Sequence, residues 1–224
     1  MSLTKNSFLK SVGYISVKLK LLKTNHYLLK ACINGVEGKF ILDSGASSSC
    51  ICLSLENKFK IDSKENKIKA SSATSNMEDT RLSKNNAIKI GKWISKISLV
   101  SIDMNHINKV LNEKEIESVD GIIGVDVLKK SKAILDFSSK KNKIKASSAT
   151  SNMEDTRLSK NNAIKIRKWR SKISLVSIDM THINKVLNEK ETESVDGIIG
   201  ADVLKKSKAV IDYESNKLYL KIKI

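Results

Sequence analysis

One long block of this chain occurs twice with almost no change. "NKIKASSATSNMEDTRLSKNNAIKI" begins at Asn66 and again at Asn142, so each position of the first copy recurs 76 residues later (142 − 66 = 76). Residues 66–137 align without gaps to 142–213, and eight positions differ: Gly91/Arg167, Ile94/Arg170, Asn105/Thr181, Ile116/Thr192, Val125/Ala201, Ile134/Val210, Leu135/Ile211 and Phe137/Tyr213. This is a duplication and not a solenoid of short period, because two copies are too few for a stacked array and the unit has no capping sequence of its own. The leads into the copies, "IDSKENKIKASS" at 61–72 and "LDFSSKKNKIKASS" at 135–148, are alike. Slippage between similar segments and assembly of the gene from parts both account for that. Either way, the chain holds two versions of one half and a single version of what precedes it, so the two cannot both be completed in the same manner.

The single-copy part contains "FILDSGASSSCI", residues 40–51. Two apolar residues run into Asp43, and Ser44, Gly45 and Ala46 follow, which places a carboxylate where a buried strand turns sharply. Gly45 allows the backbone its turn, and Ser44 can hydrogen-bond across an interface to hold the loop rigid. A lone Asp, with a pKa of about 4, is a poor acid–base pair. Two Asp side chains about 3 Å apart cannot both ionise; they share one proton, and one then serves as base towards water while the other serves as acid towards a carbonyl. The chemistry therefore asks for a second Asp of the same kind. The second copy offers Ser194-Val195-Asp196-Gly197, which has no resemblance to "ILDSGA".

Around this loop the pattern is that of strands. "GYISVKLKLL", "HYLLKACING" and "GKFILDSG" alternate apolar or β-branched residues with lysines, and "NGVEG" reads as a hairpin turn. "NAIKIGKWISKISLVSID" reads as a second hairpin turning at Gly91, and "HINKVLNEKE" as a helical turn or loop. In "SVDGIIGVDVLKKSKAILDF" two apolar residues end at Gly124, helix formers follow with lysines at their end, as the macrodipole prefers, and the chain returns to strand. "VIDYESNKLYLKI" closes with a hairpin bearing Leu218 and Leu220. Strands with one short helix near the end indicate a small, mainly β domain.

Composition narrows the function. Apolar residues make up 40% and aromatics 4%, which predicts an Ile, Leu and Val core and argues against base-stacking nucleic-acid modules. The net charge of +17 raises nucleic acid or an anionic membrane surface as partners. The lysines, however, are scattered through every segment, so the reading is a solvated basic surface with no specific nucleic-acid partner. Cys32, Cys50 and Cys52 are too few for a disulfide framework, and the alternation Cys50-Ile51-Cys52 makes two of them small buried hydrophobes on one side of a strand. His26, His106 and His182 lie far apart, so no metal site follows. Neither a signal peptide nor a bilayer-spanning apolar run is visible, and the expectation is a soluble, cytoplasmic protein with no membrane partner.

Apolar residues leading into Asp43-Ser44-Gly45-Ala46, with Ile122-Ile123-Gly124 and a short helix downstream, resemble the retropepsin-like aspartic proteases. The likeness is greatest to the small bacterial members that carry one half-site and work as homodimers. It spans roughly residues 12–139, and again 142–224 without the loop. The resemblance implies a closed β-barrel with one short helix, followed by a partial copy lacking the catalytic loop. It implies Asp43 as the catalytic carboxylate, Ser44, Gly45 and Ala46 as its supporting loop, and Ile122, Ile123 and Gly124 as the strand crossing beside it. It implies a peptide or protein substrate, a homodimer, no cofactor and no metal, with "KASSATSNMED" as flap and "NKLYLKIKI" in the dimer sheet.

The expected domains are an extension at 1–11, a protease domain at 12–141, and the duplicate with its terminal strand at 142–224. The first copy is expected to complete the domain, using "KKNKIKA" as a last strand. It is local in sequence, Arg167 would cost where Gly91 needs positive φ, and Arg170 would cost if Ile94 is buried. Asp120 and Asp126, with Asp196 and Asp202, read as caps or turn residues around the short helix, and Trp93 and Trp169 as packing residues. A competing reading is a catalytically silent remnant or binding module whose extra copy prevents active dimer formation.

Overall fold

The computed structural model describes residues 4–65, 70–72, 75–77, 80–137, 157–189 and 191–222. The chain divides into two compact units, residues 1–131 and 132–224.

The first unit begins with helix α1 (Lys5–Ser11), started by Thr4, whose side chain accepts a hydrogen bond from the Ser7 N–H. Strands β1 (Lys20–Leu21), β2 (Tyr27–Ile33), β3 (Val36–Leu42), β4 (Cys50–Cys52) and β5 (Lys64–Glu65) follow, then the hairpin β6 (Ala70–Ser72) and β7 (Ser75–Met77). The long hairpin β8 (Arg81–Ile90) and β9 (Trp93–Ile102) comes next, then helix α2 (Asn105–Glu113), strand β10 (Gly121–Ile123) and helix α3 (Val125–Lys130). Six strands close on themselves in the cycle β2–β3–β10–β4–β9–β8, with β8 returning to β2, while β1 and β5 extend the sheet at β2 and β8. Closure leaves the six without a free edge at these pairings. The β3–β10 and β4–β9 pairs are parallel and the others antiparallel. This is a mainly β closed barrel, the architecture expected from the resemblance.

Local chemistry explains the turns and the core. Asn34 and Gly35 both take positive φ, 49° and 85°, as a two-residue hairpin between strands of right-handed twist requires. The Asn34 side chain then ties neighbouring segments together, donating to the Phe59 carbonyl and to Asn86 Oδ1 and accepting from the Ala87 N–H. Along β4 the period-2 alternation sends Ile51 into a cluster with Phe40, Phe59, Ile88, Leu99 and Ile123. Cys50 and Cys52 go into another cluster with Ile41, Ile102, Met104 and Leu111. Both sulfurs thus serve as small apolar groups, as the alternation anticipates. Trp93 packs half-buried against the first cluster.

Three local expectations change in the structure. Within "GYISVKLKLL" only Lys20 and Leu21 form a strand, paired with Leu28 and Tyr27; Ile15 and Val17 stay 40% and 39% exposed, because an alternating pattern becomes a strand only where a partner edge reaches it. "HINKVLNEKE" forms the helix α2, packing Leu111 into the second cluster. Ile94 is 67% exposed, so its replacement by Arg170 carries no burial penalty.

The second unit contains β11 (Ile134–Asp136), the hairpin β12 (Arg157–Ile166) and β13 (Trp169–Ser177), helices α4 (Thr181–Glu189) and α5 (Ala201–Lys206), and strands β14 (Val210–Asp212) and β15 (Lys217–Tyr219). Its second hairpin has the same register shift as β8–β9, between Ser159 and Asn162. Gly91 sits at φ +58° and Arg167 at +51°, so the first copy has glycine where the turn needs it and the second places a side chain there at a cost of about 1–2 kcal/mol. Trp169 is buried against Ile173 and Val203. "SVDGIIG" differs most between the copies: Ile123 is buried, whereas Ile198 and Ile199 are 66% and 51% exposed and lie outside any strand. "KKNKIKA" lies outside the described residues.

Candidate active site

Strand β3 delivers Leu42 to the start of a tight loop, and β10 runs parallel beside it with Phe40, Ile41 and Leu42 opposite Gly121, Ile122 and Ile123. On its other side β10 pairs antiparallel with β4, Gly121 opposite Ile51 and Ile122 opposite Cys50. Such a sandwiched strand needs glycine at its first position: a Cβ on Gly121 would stand 2.2 Å from the Cys50 carbonyl oxygen and 3.1 Å from the Ile51 Cα.

Asp43 is the first residue beyond β3. Its N–H donates to the Ile123 carbonyl at 3.0 Å, continuing the β3–β10 ladder by one step. Its Oδ1 accepts the Gly45 N–H at 2.8 Å, so the side chain stabilises the turn that follows it. The loop closes through the Ala46 N–H to the Asp43 carbonyl at 3.3 Å, and the Val125 N–H donates to the Ala46 carbonyl at 2.8 Å. Ser44 and Gly45 are exposed, while Asp43 and Ala46 are half-buried. Among the described residues Oδ2 of Asp43 has no protein donor, and this oxygen can meet a water or a second carboxyl group. Ile122, Ile123 and Gly124 therefore lie beside the Asp43 loop, and Ser44, Gly45 and Ala46 form its turn.

Beneath the loop is an arrangement that sequence reasoning did not identify. Ser49, fully buried, accepts the Gly124 N–H at 2.9 Å and donates its hydroxyl hydrogen to Asp126 Oδ1 at 2.7 Å. Asp126 sits in the first turn of α3, where a carboxylate is favourable, but α3 is capped at Gly124 without a side-chain bond. Asp126 thus reaches across to the segment after the Asp43 loop instead of capping its helix. Gly124 is required here as well, since a Cβ would fall 2.6 Å from the Ala46 carbonyl and 2.9 Å from that of Ser48. A serine four positions after "LDSG" and an Asp two positions after "IIG" are the only sequence signals, and neither says that they meet.

Asp120 has a different task. Its Oδ2 accepts the Lys39 N–H at 2.7 Å and its Oδ1 pairs with Lys58 Nζ at 2.7 Å, fixing the entry to β10 against β3. Lys39 also pairs with Glu117, whose carboxyl is held below its ordinary range by that contact. Next to the loop, burial pushes the Cys50 thiol up to about 12, so this sulfur is neutral and no nucleophile at physiological pH. Among the described residues, no three or more His, Cys, Asp or Glu side chains gather in a way that could hold a metal ion.

A strand-borne carboxylate, turned outward by a glycine loop and locked beside an apolar strand, matches the sequence profile described as Aspartyl protease over residues 29–127. The matched stretch ends within α3 of the first unit. No curated protein matches the chain. Among solved structures, a retropepsin-like aspartic protease from Rickettsia conorii is 18% identical, with 55% of this chain covering 88% of that one at TM-score 0.38. EIAV protease in complex with the inhibitor HBY-793 is 16% identical over 53% of this chain and 90% of its own, at TM-score 0.35. The retroviral protease-like domain of Ddi1 from Leishmania major is 16% identical over 46% and 74%, at TM-score 0.32. No helix among the described residues is long and apolar enough to cross a membrane.

Proposed function

We propose that the chain is an aspartic endopeptidase whose reacting group is Asp43 and whose active form joins the Asp43 carboxylates of two chains. The observation that carries this reading is the setting of Asp43 at the end of β3: a half-exposed carboxylate with one oxygen held by the Gly45 N–H and a backbone fixed to Ile123. Residues 12–141 form the protease domain in this reading, with 1–11 as an extension and 142–224 as the duplicate.

A single such carboxylate supplies a base without an acid. Two of them sharing one proton supply both. The ionised carboxylate takes a proton from water as its oxygen bonds to the scissile carbonyl carbon, and the protonated partner gives its proton to the carbonyl oxygen. Collapse of the resulting diol breaks the C–N bond: the leaving nitrogen receives the proton that water gave up to the first carboxylate, and one diol hydroxyl returns its proton to the second, which restores the shared-proton pair. The second copy contains no equivalent of "ILDSGA", so the second carboxylate comes from another chain. The substrate is a peptide or an unfolded protein segment, the protein acts in the cytoplasm, and no nucleic acid takes part.

The test is cleavage of a mixed peptide library from mildly acidic to neutral pH at several enzyme concentrations, with Asp43→Asn alongside. Activity that rises faster than linearly with concentration and is lost in Asp43→Asn is expected. Activity retained in Asp43→Asn would refute the assignment.

A further inference from the structure

Strand β11 comes from the first copy and β14 is the same stretch of the second. They pair antiparallel, Ile134 with Asp212, Leu135 with Ile211 and Asp136 with Val210. Leu135 and Ile211 occupy the same position of the repeat, so the pairing is centred on a residue facing its own counterpart. The flanking bonds obey the same symmetry: Phe137 N–H donates to the Ala209 carbonyl at 2.8 Å, and Tyr213 N–H donates to the Ala133 carbonyl at 3.1 Å. Phe137 and Tyr213 are counterparts, as are Ala133 and Ala209. The contact therefore has a local twofold axis and joins two near-identical strands through one self-complementary edge. An edge of this kind is what an isologous contact between two molecules uses.

We propose that β11–β14 is a chain-to-chain strand pairing made within one molecule: the edge at residues 133–137 fits the same edge of a second copy of this chain, and β14 occupies it in cis. The full chain is then chiefly monomeric, and the two-chain form arises only from the fraction in which β14 has withdrawn and opened the self-pairing edge. The other side of β14 is covered by β15, with Val210, Ile211 and Asp212 opposite Tyr219, Leu218 and Lys217, which keeps β14 in a three-stranded sheet and favours the internal pairing. Resting on the function proposed above, this makes the cis pairing a brake on the joining of two Asp43 loops.

The symmetry supplies a test in the full-length chain, in a Cys32→Ala background, with Cys50 and Cys52 buried. Leu135→Cys with Ile211→Cys is expected to form an intrachain disulfide on mild oxidation and to remain a monomer in non-reducing electrophoresis. Leu135→Cys alone is expected to stay unlinked. Adding Ile211→Pro, which removes an N–H from β14, frees the β11 edge, and the single introduced thiols of two chains then link across the axis into a covalent dimer. Interchain linkage in the double-cysteine chain, equal dimer yield from Leu135→Cys with and without Ile211→Pro, or no dimer on adding Ile211→Pro would each overturn the proposal. None of these readouts depends on peptidase activity, so an inactive Asp43 would leave the result standing.

Discussion

Replacing Ser49 by alanine removes one oxygen from beneath the Asp43 loop, and the structure sets the size of the effect. That oxygen is fully buried, donates to the Asp126 carboxylate at 2.7 Å and accepts the Gly124 N–H at 2.9 Å. A hydrogen bond to a charged group contributes about 1.5–3 kcal/mol, and a buried donor left unpaired costs about 1–3 kcal/mol. The two losses overlap at one site, so Ser49→Ala is expected to destabilise the first unit by about 2–4 kcal/mol. Asp126→Ala should fall in the same range, and Asp126→Asn, which keeps an acceptor, should cost about 1 kcal/mol. The second copy provides the control: Asp202 has the same place in the repeat but no counterpart of Ser49, and Asp202→Ala is expected within about 0.5 kcal/mol of the parent. Urea unfolding followed by Trp93 fluorescence, in a Trp169→Phe background, isolates the first unit. With a slope of about 2 kcal/mol/M the midpoint should fall by about 1–2 M. A Ser49→Ala midpoint within error of the parent, or an Asp202→Ala loss equal to that of Asp126→Ala, would refute the reasoning.

The same comparison of copies applies to glycine. Gly121→Ala meets the Cys50 carbonyl at 2.2 Å, whereas a Cβ on its counterpart Gly197 meets nothing within 4 Å; thermal melts should show the first substitution unfolding the barrel or costing about 3 kcal/mol, and the second having little effect. Burial raises the pKa of the Cys50 thiol from its ordinary 9.0 up to about 12 in the fold. Its contribution to stability is therefore complete below about pH 9 and is lost as the pH rises towards 12, where the unfolded chain releases a proton that the folded chain keeps. Alkylation at pH 8 followed by mass spectrometry should modify Cys32 well before Cys50; equal rates would contradict the burial of β4.

Most of the barrel was legible because its signals are local. The Asn34-Gly35 turn, the Cys50-Ile51-Cys52 alternation and the glycine between β8 and β9 each state a conformation within a few residues. What was not legible depends on partners distant along the chain. Ser49 and Asp126 are 77 residues apart, and the helical position of Asp126 favours a capping interpretation until the contact is seen. Ile15 and Val17 alternate as a strand does, yet no neighbouring strand engages them. "SVDGIIG" makes the point most sharply, since the identical seven residues contain the strand Gly121–Ile123 in one copy and exposed irregular chain in the other. Their conformation comes from β3 and β4, which exist once. The placement of Asp43 beside "IIG" was readable from the motif, while the choice between copies was a matter of competition, in which Gly91 over Arg167 weighs as anticipated and Ile94 over Arg170 does not.

The central claim is that the Asp43 loop is completed by Ile122–Gly124 and not by the same residues of the second copy. Hydrogen exchange read by mass spectrometry tests it directly, using peptides that span Ile116 or Val125 and their counterparts Thr192 or Ala201, so that the copies differ in mass. The two segments have nearly identical intrinsic rates, and only structure can separate them. The expected result is strong protection across 121–125, including the Val125 amide bonded to Ala46, with rapid exchange across 197–201. Equal protection of both segments, or greater protection of 197–201, would contradict the account.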